Sequence, residues 1–135
     1  MREILFRGKN FGGEWEYGVP VFCGVNNELA FMKQMHSYDH RVLPETVGQF
    51  TGLTDKNGKK IFEGDIVAYC WYEDEPMNFQ IEFVSGEFLA VPINKREDVW
   101  AIRISGQGEN LDVIGNIHDN PELLNGGLDG EKEMG

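Results

Sequence analysis

The chain has 135 residues, of which 23 are acidic and 12 are basic, so its net charge is −11. This balance disfavours binding to bare nucleic acid, because contacts with phosphates depend on clustered lysine and arginine. No apolar run approaches the about 18 residues of a transmembrane helix, and the N-terminal apolar stretch is too short for a signal peptide, so we expect a cytoplasmic protein without membrane contact.

The first part of the chain predicts short β-strands. Residues 4–7 alternate weakly, and Glu14-Trp15-Glu16-Tyr17 alternates acids with aromatic residues, so Trp15 and Tyr17 should share one strand face. Residues 19–25 continue this strand. Pro20 places it at a sheet edge, because proline cannot donate a hydrogen bond to a neighbouring strand.

Residues 26–41 are compatible with a helix, with a strand or with irregular structure. Asn27 would cap a short helix, and the following apolar residues partly fit helical spacing. On a helix, His36 and His40 would share a face and hold zinc, with Asp39 or Glu45 as a third ligand. The segment lacks the glutamate of the zincin motif. A polar loop is therefore the preferred interpretation, and neither a metal nor a cofactor is predicted.

The most informative stretch is residues 46–67, which predicts strand, turn, strand, turn, strand. Its first half is rich in β-branched and aromatic residues, and Asn57-Gly58 is a strong hairpin signal because both residues tolerate positive φ. Gly64 indicates a second tight turn before Ile66. Strands joined by such short turns should be neighbours, so we predict a local meander.

The remaining segments also predict strands. Residues 78–84 alternate strictly, with Phe79, Ile81 and Phe83 on one face, and residues 88–91 return after a turn. Two further strands are predicted over 100–105 and 111–117. Pro121 then begins a single closing helical turn.

Two segments carry a family resemblance. TGLTDKNGKKIFEGDIV (51–67) and VIGNIHDNPELL (113–124), with the opening REILFRGKN and GEWEYG, resemble the YopX family of phage and prophage proteins. The resemblance spans most of the chain and implies a mainly-β fold and a phage context. It implies no activity and no catalytic residue.

These patterns predict a mainly-β fold, a small antiparallel barrel or sandwich of short strands with at most one or two short helices. We expect a single domain over 1–124, with lobes over roughly 1–45 and 46–124, and a disordered acidic tail over 125–135. Cys23 and Cys70 are predicted to be reduced thiols, since no local motif supplies a base that would activate either one.

The segment between the central strand and the next hairpin is the candidate binding surface. It joins two aromatic residues to an acidic group: Trp71, Tyr72, Glu73, Asp74 and Glu75. Such a segment suits protein recognition, although an amphipathic rim that closes a small barrel explains the same residues.

The sequence is compatible with four functions. The preferred one is a non-enzymatic module that binds a host or phage protein, followed by an acidic DNA mimic that inhibits a nucleic-acid enzyme. A nucleic-acid-binding barrel would use Trp15, Tyr17 or Trp71 for stacking, with a basic patch at residues 56–60. A metal-dependent enzyme at the two histidines ranks last. A homo-oligomer is compatible with exposed strand edges.

Overall fold

The structure is a computed structural model, and it describes residues 3–34, 38–69, 77–93 and 100–125. Within these ranges the chain forms β-strands and short 3₁₀ turns, and no helix there is long and apolar enough to cross a bilayer. The strands are β1 (Phe6–Lys9), β2 (Trp15–Cys23), β3 (Leu29–Lys33), β4 (His40–Val42), β5 (Gly48–Thr54), β6 (Lys60–Phe62), β7 (Asp65–Tyr69), β8 (Met77–Val84), β9 (Glu87–Pro92), β10 (Ile102–Arg103) and β11 (Leu111–Asn116). The 3₁₀ turns are Val25–Asn27, Pro44–Thr46, Gly108–Asn110 and Pro121–Asn125.

The mainly-β prediction is confirmed, and the strands lie in two antiparallel sheets. Neither sheet closes into a barrel over the ranges that the structure describes. The chain divides into two compact units, Met1–Gly52 and Leu53–Gly135. Whether the two units act as one domain stays a prediction, and the predicted tail over 126–135 lies outside the described residues.

In the first unit the strand order is β4-β3-β2-β1-β5. One face of this sheet buries Ala30, Met32 and Val42, with Phe6 and Val47 packed against them. A backbone bridge between Asn10 and Val42 shows that the sheet curls around this small core. The opposite face of β2 and β3 is turned away from the core.

Strand β5 ends in the second unit, where β6 is its neighbour, and a separate five-stranded sheet has the order β10-β9-β8-β7-β11. Alternate residues of β8 and β7 enter one core, as period-2 side-chain alternation requires. The buried members of that core are Ile61, Val67, Phe79, Ile81, Ala90, Ile104 and Leu111.

The ambiguous segment 26–41 forms two strands in its described parts. Val25–Asn27 makes a 3₁₀ turn, β3 follows, and His40 begins β4. Strand structure prevails because pairing with β2 buries the alternate residues Ala30 and Met32, and that tertiary packing overrides a weak helical spacing. Residues 35–37 lie outside the described part of the chain.

The prediction that Pro20 lies at a sheet edge is confirmed for its own half of β2. β2 pairs with β1 over residues 15–18 and with β3 over residues 19–23. The half that contains Pro20 therefore has one neighbouring strand, and the missing proline N–H leaves no ladder hydrogen bond unmade. Gly18 lies where the pairing changes, against the Lys33 backbone.

The predicted meander is correct for the first turn and wrong for the second. The short turn after β6 does not form a hairpin, because β6 and β7 belong to different sheets. Gly64 has φ of 93°, its N–H donates to Ile81 on β8, and Asp65 Oδ2 accepts the Phe62 N–H at 2.7 Å. These contacts turn the chain through a corner, which spacing along the sequence does not distinguish from a hairpin.

We expect Gly18→Ala to lower the free energy of unfolding by about 1–3 kcal/mol, because a methyl group there would overlap with the Lys33 carbonyl oxygen. Urea denaturation followed by tryptophan fluorescence measures the change. Gly12→Ala is the matched control: its methyl group would meet the Asn10 side chain at 3.4 Å, and a change within about 0.5 kcal/mol is expected. Equal stability of the two variants would contradict this role for Gly18.

Candidate functional site

The sequence-predicted sites lie partly outside the described residues. The candidate binding residues Trp71, Tyr72, Glu73, Asp74 and Glu75 all fall there. Their proposed role therefore stays a prediction.

Of the predicted histidine pair, His36 also lies outside the described residues, and His40 lies at the start of β4. The His40 Nδ1 is 3.6 Å from Glu16 Oε2, and Glu16 also accepts hydrogen bonds from the Asn10 and Gln34 amides. Asp39, a suggested third ligand, is 3.6 Å from the Lys33 ammonium. Within the described ranges no three His, Cys, Asp or Glu side chains form a possible metal site. The zinc hypothesis stays untested.

An exposed surface lies on the outer face of the first unit. In the strand register Val21 is opposite Phe31, Phe31 is opposite Arg41, and Val19 is opposite Lys33. Directly opposed residues place their side chains on the same face of a sheet. We call this set the cationic face: Val19, Val21, Phe31, Lys33 and Arg41.

The cationic face combines accessible apolar area with two positive charges, and the Asp39 carboxylate, 3.6 Å from the Lys33 ammonium, offsets one of them. Val19 is 52% exposed and Val21 is 41% exposed, while Phe31 is half-buried between them and Arg41. The Arg41 guanidinium lies 4.8 Å from the centre of the Phe11 ring. Adjacent exposed apolar side chains with a polar border are typical of protein interaction sites. Sequence reasoning missed this face, since apolar alternation in β2 does not reveal which side is buried.

Trp15, predicted as a stacking platform, is already covered by cations of the same chain. The Arg7 guanidinium lies 4.3 Å from its ring centre, and the Lys9 ammonium lies 5.2 Å from it. Lys9 also donates to the Gly13 carbonyl at 2.9 Å. Trp15 and Arg7 therefore stabilise the β1–β2 hairpin by a cation–π contact. This contact is a structural role that sequence reasoning did not identify.

The first family motif is organised by Asp55, a buried carboxylate in the β5–β6 turn. Its Oδ1 accepts the backbone N–H groups of Asn57 at 2.8 Å and Lys59 at 2.9 Å. Its Oδ2 accepts the N–H of Val113 on β11 at 2.9 Å. The turn is further attached to β11 by a bond from Lys56 N–H to the Leu111 carbonyl at 2.9 Å.

These hydrogen bonds also set the ionisation of Asp55. Burial raises its pKa, but hydrogen bonds from Val113, Lys59 and Asn57 and the nearby Lys59 charge together lower the pKa below the ordinary value of 3.8. The carboxylate is thus held in its charged form as a fixed acceptor for three backbone donors.

The second family motif closes the end of β11. Asn116 Oδ1 accepts the N–H groups of His118 at 3.0 Å and Asp119 at 2.8 Å, and Asn120 Oδ1 accepts the Asn116 N–H at 3.2 Å. Gly115 leaves room for this turn, because a methyl group there would lie 2.6 Å from the Asn120 amide oxygen and would displace that side chain. Residues 116–120 thus form a turn that is held by hydrogen bonds among its own residues, and the 3₁₀ turn Pro121–Asn125 follows it.

The two motifs therefore lie side by side in the fold, where hydrogen bonds and strand pairing connect them. Asp55 bonds to Val113, the Ile117 N–H donates to Gly64 at 2.9 Å, and β7 pairs with β11 along its length. Asp55, Asn116 and Asn120 therefore have a structural role, since each accepts backbone hydrogen bonds that hold these segments together.

The suggested basic patch at residues 56–60 is electrostatically mixed. The Lys56 ammonium is 3.9 Å from Asp112 Oδ2, and the Asn57 amide donates to the same carboxylate at 3.2 Å. A carboxylate inside the patch weakens its attraction for phosphates.

The fold is that of a small mainly-β protein in which the two motifs lie together. A family model described as YopX protein matches residues 20–125, and the chain belongs to the YopX family. The chain is also similar to the crystal structure of protein EF1440 from Enterococcus faecalis, with 25% sequence identity and a TM-score of 0.54. That match covers 92% of this chain and 99% of the other. Curated protein sequences give no match.

We expect Asp55→Asn to lower the free energy of unfolding at neutral pH by about 1–3 kcal/mol, because the amide nitrogen cannot accept an N–H that the carboxylate oxygen accepts. Folding lowers the pKa of Asp55. The stability that its carboxylate contributes is therefore fully present above the pKa of the unfolded state, and it is lost as the pH falls through the pKa of the folded state. The difference between wild type and variant should therefore shrink in acid.

Urea titrations at neutral pH and at several values below pH ~4 measure this difference. Asp112→Asn is the control, since Asp112 is partly exposed and accepts a side-chain amide rather than a set of backbone donors. A stability difference for Asp55→Asn that does not change with pH would contradict the electrostatic part of the explanation.

Proposed function

We propose that this YopX-family protein is a phage- or prophage-encoded accessory protein that acts by binding another protein, without catalysis. The observation that carries the proposal is the cationic face, an exposed apolar surface on paired strands with charged residues at its border. The family resemblance supports the phage context.

The chemistry of the face indicates what its partner presents. Full burial of an exposed valine or phenylalanine side chain contributes about 1.5–3 kcal/mol. Val19, Val21 and Phe31 are already partly buried, so each contributes a fraction of that value when a partner covers it. Lys33 and Arg41 favour carboxylates at the border, where charges improve association rate and specificity more than affinity. The fitting partner is a protein segment with apolar side chains flanked by acidic residues.

The strand geometry favours such a surface because the face is built on paired strands rather than on a loop. β2, β3 and β4 hold it in one register, and the core beneath them packs Ala30, Met32 and Val42. A preformed surface loses little conformational entropy on binding.

The double variant Lys33→Glu/Arg41→Glu tests the proposal in a tagged pull-down from phage-bearing host cells, with and without nuclease. We expect a protein partner that survives nuclease treatment to be recovered by wild type and reduced at least about tenfold with the variant, because like charges would then face each other. The matched control is Lys60→Glu/Lys132→Glu, which makes the same charge change outside the cationic face.

Recovery of the same partner by wild type, variant and control alike would show that the cationic face is not the binding surface. Recovery that disappears entirely with nuclease would place nucleic acid above protein as the ligand.

A second candidate, an acidic mimic that inhibits a nucleic-acid enzyme, is favoured by the charge distribution. Residues 1–52 carry five basic and six acidic side chains, and residues 53–135 carry seven and seventeen. The mimic would bind a basic protein through the second unit, and neutralising Glu73, Asp74 and Glu75 would weaken that binding while the cationic-face variant retains it. Trp71→Ala tests the aromatic part of the same segment.

A further inference from the structure

The second half of β2 forms a strand edge with one neighbour. Residues 19–23 pair with β3, whereas β1 pairs with residues 15–18. The chain before β1 follows β5 instead, since the Leu5 carbonyl accepts the Phe50 N–H at 2.8 Å. Among the residues that the structure describes, no strand pairs with the other side of residues 19–23. We call residues 19–23 the β2 edge.

Phe22 directs both of its backbone groups away from β3. Along a strand, successive residues direct their N–H and C=O groups to opposite sides. The Tyr17 carbonyl accepts the side-chain amide of Gln34, which directly follows β3, at 3.0 Å. Tyr17 and every second residue after it therefore face β3, and Pro20 and Phe22 face the opposite side. There Pro20 offers only an acceptor, while Phe22 offers a donor and an acceptor.

The side chains of the β2 edge are apolar and accessible on both faces of the sheet. Phe22 is directly opposite Ala30 and so lies on the core face, yet it is 42% exposed because no described strand lies beyond it. Val21, on the outer face, is also exposed. The segment GVPVFCGV (18–25) carries no charge. An uncharged apolar edge is a template for another strand, and natural sheets usually protect such an edge with charges or a covering segment.

We propose that the β2 edge binds the β2 edge of a second copy of this chain, with the two strands antiparallel around a two-fold axis at Phe22. The Phe22 residues of the two copies then exchange both backbone hydrogen bonds, as directly opposed residues do in a hydrogen-bonded pair. The two rings lie side by side and cover each other's exposed area. This inference goes beyond the proposed function and does not depend on it.

A second copy suits this edge because the segment is complementary to itself in charge as well as in hydrogen bonding. No like charges meet across the axis, since the segment has none. Lys33 on β3 and Arg41 on β4 are three and five strand spacings of about 4.8 Å from their copies. Both separations exceed the Debye length of about 8 Å at physiological salt, so repulsion between the two cationic faces is screened. The symmetric contact uses both edges, so association stops at a dimer.

Sedimentation velocity of the full chain, from micromolar to millimolar concentration, tests the inference. Reducing conditions exclude disulfides through the exposed Cys23. We expect the wild type to form dimers, and no larger species, as its concentration rises. Phe22→Lys and Phe22→Glu should each weaken dimerisation at least about tenfold, because each places like charges directly opposite each other. Circular dichroism melting curves that match the wild type show that both variants are folded.

Mixing Phe22→Lys with Phe22→Glu gives the decisive outcome. Residue 22 is opposite its own copy, so opposite charges meet only in the mixed pair, and we expect a one-to-one dimer. The matched control is Phe11→Lys, which makes the same change at a residue that is 64% exposed in the loop before β2, beyond the other end of that strand. The control should dimerise like the wild type.

Hydrogen exchange of the wild type tests the same contact without a substitution. The Phe22 amide should exchange more slowly at concentrations where the dimer forms, because its N–H is then bonded to the second copy. The Val21 amide, which already faces β3, should change less. Dimer formation without slower exchange at Phe22 overturns the inference.

Three further results also overturn the inference. A wild-type chain that stays single at every concentration leaves the β2 edge to a segment of a different protein. Dimers that persist undiminished in Phe22→Lys and Phe22→Glu show that another surface is used, and a mixture of these variants that does not pair excludes the two-fold register. The proposed function keeps its own test, because loss of a cellular partner with Lys33→Glu/Arg41→Glu does not require self-association.

Discussion

The carboxylate of Asp55 is the contact on which the second unit depends most. It lies in the turn of the β5–β6 hairpin, yet its longest-range bond is to Val113 on the last strand. One side chain therefore fixes a local turn and joins it to a strand that follows 58 residues later. A charged acceptor suits this position, because hydrogen bonds to an ionised group are stronger than those between neutral groups.

The same contacts protect the open edge of the five-stranded sheet. β11 pairs with β7 on one side, and on the other side Asp55 accepts the Val113 N–H while Lys56 donates to Leu111. Asn120 bonds to the Asn116 N–H further along the same strand. An edge with satisfied backbone groups offers no template for another strand to add. Contacts of this protein with partners are thus expected on side-chain surfaces rather than on this edge.

Charge and apolar exposure are distributed differently in the two units. The first unit is nearly neutral and places cations around Val19 and Val21, while the second unit contains most of the acidic residues. The net charge of the whole chain conceals this difference. A protein with such a division can bind acidic surfaces despite being acidic overall, because local fields rather than the total charge govern the contact.

Local sequence signals determined the strands, the Asn57-Gly58 hairpin and the closing Pro121 turn, because alternation and turn chemistry act between neighbouring residues. Two family motifs also determined the family. The tertiary structure alone decided that residues 29–33 form a strand, that Gly64 turns a corner between sheets and that Asp55 bonds to Val113. It likewise decided that Val19 and Val21 face outward. These features depend on which distant strands become neighbours. The alternation of apolar residues along the sequence is the same whichever strands pair, so it does not decide between the pairings.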